Sequence, residues 1–115
     1  MESKRLITTA IAYANGAPHI GHAFEFVMAD AIARSMRSSH DVYFITGMDE
    51  HGQKIEEKAK EKNIPVQELV DLFAGTFKSL DKELGISYDY FVRTSSKEKH
   101  YIGAQALWNV LLEKG

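Results

Sequence analysis

The sequence contains no cysteine, only two prolines, and no apolar run long enough to cross a bilayer. Without thiols, a disulfide framework and thiolate zinc sites are both excluded, and no zinc site is expected within the chain. The first apolar stretch, Leu6 to Ala12, is too short to span, and Tyr13 and Asn15 follow it where a leader would carry a small-residue cleavage site. No membrane association and a cytoplasmic location are therefore expected. Charge is also scarce as a signal: the net value is −2 with both signs interspersed, so the segment lacks the basic footprint that holds nucleic acid unaided. No repeat, low-complexity tract or Pro/Gly/Ser-rich linker divides the chain. With 44% apolar residues over 115 positions, one domain or a piece of one is expected.

What is present is an alternation of short apolar runs and longer helical patterns. Leu6-Ile7-Thr8-Thr9-Ala10-Ile11-Ala12 is rich in β-branched residues and leads to the turn signal Asn15-Gly16, which predicts a buried strand. Pro18 suits the first helical position, and Ile20, Phe24, Val27, Ala31 and Ile32 give the stretch from His19 to about Arg37 helical spacing. A second strand is predicted over Asp41 to Thr46, followed by Asp49-Glu50-His51-Gly52 and a helix through Lys62 whose charged residues form a solvated face. Pro65 restarts a helix carrying Val66, Leu69, Val70, Phe73, Phe77, Leu80 and Leu84, with Gly85 placed to end it. Tyr88 to Arg93 reads as a third strand. Ser95 and Glu98 then form a capping-box pattern before a last helix with Tyr101, Ala104, Leu107, Trp108 and Leu111. Trp108 and the helix stripes are expected in the core. Strands alternating with helices imply parallel pairing, hence an α/β fold with an open, doubly wound sheet.

In such sheets ligands bind beyond the carboxyl ends of the strands, where Tyr13 to His22 and Gly47 to Gly52 fall. The first segment ends in a helix N-terminus, whose free N–H groups and dipole favour a phosphate. Gly16 is read as permitting the tight turn. Gly21 lies inside the first helical turn at a cost of about 1 kcal/mol relative to alanine, and close approach of a flat group such as a purine would compensate it. His19 and His22, three residues apart, point to one side and can donate to phosphate oxygens without a metal. Taken alone, the pair is better explained as two partly exposed histidines at a helix end. Asp49-Glu50-His51 is most simply a solvated loop, although an aspartate at a strand end could bind an ammonium group. Together with His19 and His22 these residues could also offer nitrogen and oxygen ligands to zinc or manganese, without the His-Glu-x-x-His spacing of zinc peptidases. Tyr13 either lines a pocket or covers the sheet end.

Pro18-His19-Ile20-Gly21-His22 contains the HIGH signature of class I aminoacyl-tRNA synthetases, and Ala10 to Gly16 precedes it at the expected distance. Thr46-Gly47-Met48-Asp49-Glu50-His51-Gly52 resembles the TGTDEHG segment of methionyl-tRNA synthetases. HIGH alone leaves leucine, isoleucine, valine and cysteine open. The two motifs in order, each after a strand, resemble the methionyl-tRNA synthetase family along nearly the whole chain. That resemblance implies a Rossmann-like open parallel sheet with flanking helices, residues 1–115 being the N-terminal, HIGH-motif portion of the nucleotide-binding catalytic domain with no second domain. It implies activation of L-methionine by ATP with Mg²⁺ to methionyl-adenylate, then transfer to tRNA(Met). It makes His19 and His22 catalytic, stabilising the α-phosphate transition state. Asn15, Gly16 and Gly21 would join them in binding ATP, with Gly21 under adenine, while Ile11, Tyr13 and Asp49 would bind methionine, Asp49 receiving its ammonium; none would be a metal ligand. Met48 departs from the usual threonine and Ala12 from proline or tyrosine, the link Ser38-Ser39-His40 lacks the usual Lys-Gly turn, and no KMSKS-like loop is present. The isolated chain is expected to bind ATP or methionine weakly at most. Two other readings remain: a non-catalytic remnant or ATP-binding module, and a metal-dependent hydrolase using the His/Asp cluster. Small nucleotidyltransferases share His-x-Gly-His, but Asp-Glu-His-Gly is not expected in them.

Overall fold

The computed structural model describes residues 3–115. In chain order they form β1 (Lys4–Thr8), β2 (Ala12–Tyr13), α1 (Ile20–Met36), β3 (Asp41–Asp49), α2 (Gln53–Lys62), α3 (Val66–Glu83), β4 (Tyr90–Arg93) and α4 (His100–Lys114). The long β3 is the axis of the sheet: Ile45 pairs with Thr8 on one edge and Tyr90 on the other, and Met48 pairs with Ala12 and Arg93 in the same way. Every pairing is parallel, as the alternation of elements predicts. No helix among the described residues is long and apolar enough to cross a membrane.

The strand predicted over Leu6 to Ala12 is divided into β1 and β2. The reason is local: Ala10 N–H donates to Glu25 Oε1 at 2.8 Å instead of joining the ladder, and the hydroxyls of Thr9 and Thr46 share a hydrogen bond of 2.7 Å. β3 runs three residues beyond its predicted end, because β2 pairs with Met48 and Asp49. Gly47 fits there since a Cβ would meet the Val92 backbone and side chain of β4.

Alternate residues of β3, Val42, Phe44, Thr46 and Met48, are buried, whereas Tyr43 on the other face is half exposed. Phe26, Met48, Ile55, Leu69, Phe73 and Phe77 form the larger core cluster, and Ala33, Val42 and Phe44 a smaller one. In α3 the predicted residues Leu69, Val70, Phe73 and Phe77 are buried. Gly85, at φ +66°, follows the helix where a left-handed residue stops it.

Two helices depart from expectation. In α1 the predicted stripe is the outer one, Ile20 being 84% and Phe24 66% exposed, while Phe26, Asp30 and Ala33 face the core. The buried face went unread because Asp30 interrupts it. Its carboxylate accepts from Ser87 N–H, Ser87 Oγ and Arg34 Nε, so α1 is tied to the α3–β4 connection through a satisfied buried charge. Burial pushes that carboxyl up, but the bonds from Ser87 and Arg34 outweigh it and hold it below its usual range. In α4 no residue is buried, and Trp108 is 64% exposed, against the expectation that it is core. The capping box predicted from Ser95 and Glu98 does not form: α4 starts at His100, and Ser95 Oγ is used elsewhere.

Candidate active site

β2 and β3 end side by side, with Tyr13 the register partner of Asp49 and Ala14 N–H donating to the Asp49 carbonyl at 2.8 Å. The two segments expected to share a cleft are thereby joined at the carboxyl end of the sheet. The Tyr13 hydroxyl rests against Gly52, whose φ of +132° and lack of a Cβ both permit that contact. Lys58 of α2 closes the other side, its Nζ donating to the Asn15 carbonyl at 2.6 Å. Ile11 is exposed on the β1–β2 connection, next to this corner. Gly16 is a correction: its φ lies outside the left-handed region, so the turn does not demand glycine, and the space where a Cβ would stand is open.

The histidines form a reciprocal cap on α1. His19 is the N-cap residue, its Nδ1 accepting the Gly21 N–H at 3.1 Å, and His22 Nδ1 accepts the His19 N–H at 3.1 Å. Imidazoles here replace the serine and glutamate of an ordinary capping box. Pro18 precedes the cap and so lies two residues before the start of the helix it was expected to open. Since each Nδ1 accepts, the proton of each neutral ring sits on Nε2. The rings lie 3.9 Å apart by centroid, and that of His22 meets the edge of Phe77 at 4.9 Å. Burial and the neighbouring His19 lower the His22 pKa from its ordinary value, against the pull of Glu25. Gly21 has a reason that composition did not reveal: a Cβ there would stand 2.9 Å from His19 Cε1. Within the chain, the group that comes close to Gly21 is the His19 ring.

Asp49, Glu50 and His51 diverge. The Asp49 residue is partly exposed, and its carboxylate makes no ion pair among the described residues. Glu50 is 2% exposed and turns inward, accepting from Arg93 Nε at 2.7 Å and from the N–H and hydroxyl of Ser95. His51 Nε2 donates to the Thr94 carbonyl at 3.1 Å. These residues and the two HIGH histidines assemble no group of three or more that could hold a metal ion among the described residues. The roles of Arg93, Thr94, Ser95 and Asp71 around Glu50 and His51 escaped the sequence reading. The one available signal was an arginine closing an apolar strand.

A parallel α/β sheet whose carboxyl end carries a helix start capped by two imidazoles has the fold of class I synthetase catalytic domains. The model of the family of class I (M) tRNA synthetases matches residues 5–115, and the chain belongs to that family. It is 46% identical over 113 residues to a methionine–tRNA ligase of Brucella suis, covering 97% of this chain and 22% of that protein. It is 54% identical over 99 residues to one of Deinococcus radiodurans, covering 84% of this chain and 14% of that one. The chain thus spans about a fifth or less of the length of these curated relatives. Among solved structures, Mycobacterium tuberculosis methionyl-tRNA synthetase in complex with methionyl-adenylate superposes with a TM-score of 0.81 at 42% identity, over 84% of this chain and 19% of that one. A leucyl-tRNA synthetase complex from Agrobacterium radiobacter, at 24% identity and TM-score 0.88 over 99% of this chain and 15% of that one, shares the fold.

Proposed function

We propose that residues 1–115 are the N-terminal portion of the catalytic domain of a methionine–tRNA ligase, which activates L-methionine with ATP and transfers it to tRNA(Met). The observation that carries this reading is the junction of the two motifs, Tyr13 beside Asp49 and the imidazole cap opening the next helix. The relative whose structure holds methionyl-adenylate supports the choice of ligand. In this reading the Nε2–H groups of His19 and His22 donate to the non-bridging oxygens of the α-phosphate as negative charge builds there. A donor of this kind contributes about a hundredfold in rate. Asn15 and Gly16 lie by the phosphates, and Gly21, whose missing Cβ leaves room for the His19 ring, lies by adenine. Asp49 receives the methionine ammonium, while Ile11 and Tyr13 line the thioether pocket.

For Mg²⁺ the described residues offer no group of three or more His, Cys, Asp or Glu side chains. In the proposed reaction it enters as the counter-ion of the ATP phosphates. The 115-residue segment by itself binds ATP or methionine weakly at most. ATP–pyrophosphate exchange on the full-length protein, with methionine compared against leucine, isoleucine, valine and cysteine, tests the reading. Methionine-dependent exchange is expected, and exchange stimulated by another of these amino acids, or by none, overturns it.

A further inference from the structure

Glu50 stands between Asp49, assigned above to the methionine ammonium, and His51, yet its own side chain is fully buried. Four hydrogen bonds fix it. Its N–H donates to Thr94 Oγ1 at 2.7 Å, its Oε1 accepts from Arg93 Nε at 2.7 Å, and its Oε2 accepts from Ser95 N–H at 3.2 Å and Ser95 Oγ at 2.5 Å. His51 adds a fifth link to the same segment through the Thr94 carbonyl. Arg93 in turn reaches α3, its Nη2 lying 2.7 Å from Asp71 Oδ1 as an ion contact. A carboxylate with no exposed side-chain surface, satisfied in this way, is a rigid anchor.

We infer that Glu50 is a positioning residue for methionine: through Arg93 and Ser95 it fixes the end of β3, so that the Asp49 carboxylate is held where the substrate ammonium must arrive. The inference rests on the proposed role of Asp49. It gives the second acidic residue of the Asp-Glu-His-Gly segment a task distinct from the first, and it explains why the β4–α4 connection uses Ser95 to hold Glu50 and not to cap α4.

The test is Glu50→Gln in the full-length protein, with kinetics normalised to active-site titre. Glutamine keeps the volume, but its amide group adds a donor against the Ser95 N–H or the Arg93 guanidinium. Misplacement of Asp49 predicts a methionine KM raised about tenfold, with the ATP KM and kcat each within about threefold. A purely structural role predicts a lower titre and melting temperature with an unchanged methionine KM, and that result overturns the inference. If Glu50→Gln does not fold, Ser95→Ala removes one bond and leaves the carboxylate paired with Arg93. A methionine KM raised about threefold is then expected, and no change overturns the inference. A wild-type protein without methionine-dependent exchange overturns the reading of Asp49 instead, and the positioning role with it.

Discussion

Ala12 and Met48 are register partners across β2 and β3, and both are buried in the larger core cluster. They are also two of the positions at which the sequence departs from the pattern it resembles, and their adjacency predicts that the two departures are coupled. A small residue on one strand makes room for a long one on the next. Met48→Thr is expected to destabilise the fold by about 2 kcal/mol through lost burial, and Ala12→Tyr by about 1 to 3 kcal/mol through overpacking. Combining them should cost less than the sum, with a coupling of about 1 kcal/mol. Urea unfolding of the four proteins measures this, and strict additivity would show that the two sites are independent.

The double role of His19, as helix cap and as phosphate donor, can be separated by His19→Asn. Asparagine is among the best N-cap residues, so α1 should keep its start and the melting temperature should be nearly unchanged. Its amide cannot occupy the position of an imidazole Nε2–H, and methionine-dependent exchange should fall about a hundredfold. A variant that loses both stability and activity in parallel would assign His19 to the cap alone.

Protonation of His22 removes the acceptor on which the His19 N–H depends. The fold lowers the His22 pKa, so the stability it contributes is present above about pH 6.5 and is lost as pH falls through the folded-state value. The protection of the His19 amide, its exchange rate taken relative to the intrinsic base-catalysed rate at each pH, should therefore fall at acid pH before the core opens, as amide-resolved hydrogen exchange between pH 7 and 5 would record. Uniform behaviour of His19 and the α3 amides would remove His22 as the cause.

The two motifs, the parallel α/β plan and the α3 core were legible in the sequence, because glycine, proline and apolar spacing act locally. What was not legible depended on long-range partners. Asp30 masked the buried face of α1 because its satisfaction comes from Ser87, 57 residues away. The pattern at Ser95 and Glu98 satisfied a local rule, but Glu50 claimed the Ser95 hydroxyl across 45 residues. Gly21 was singled out for the close approach of a flat ligand, whereas the close neighbour within the chain is the His19 ring, which local spacing does not announce. Apolar spacing in α4 was read as core, yet within the described residues nothing buries it.

Trp108 is the sole tryptophan, which makes that last point directly measurable. In the isolated 115-residue chain its emission should be that of a solvent-exposed indole and open to quenching by iodide. A blue-shifted, unquenched signal would mean that α4 is covered, by self-association or by refolding against the sheet. Dilution distinguishes these, since only self-association is reversed by it.

Asp81 of α3 is 1% exposed, and neither carboxylate oxygen has a hydrogen-bond partner among the described residues. Burial raises its pKa to about 6, and the pKa of the nearby Tyr88 is raised by its own burial and by the Asp81 charge. The folded state therefore favours the protonated carboxyl. Stability from this group is full below the unfolded value of about 4, declines as pH rises from there, and levels off above about 6. The total is on the order of 3 kcal/mol, from a shift of about two units at 1.36 kcal/mol each. Asp81→Asn removes the charge without changing the volume, so it should stabilise the fold at pH 7.5 and leave it little changed at pH 4. Unfolding free energies at the two pH values decide the matter. A variant that tracks the parent at both would mean that Asp81 finds a partner or water when ionised.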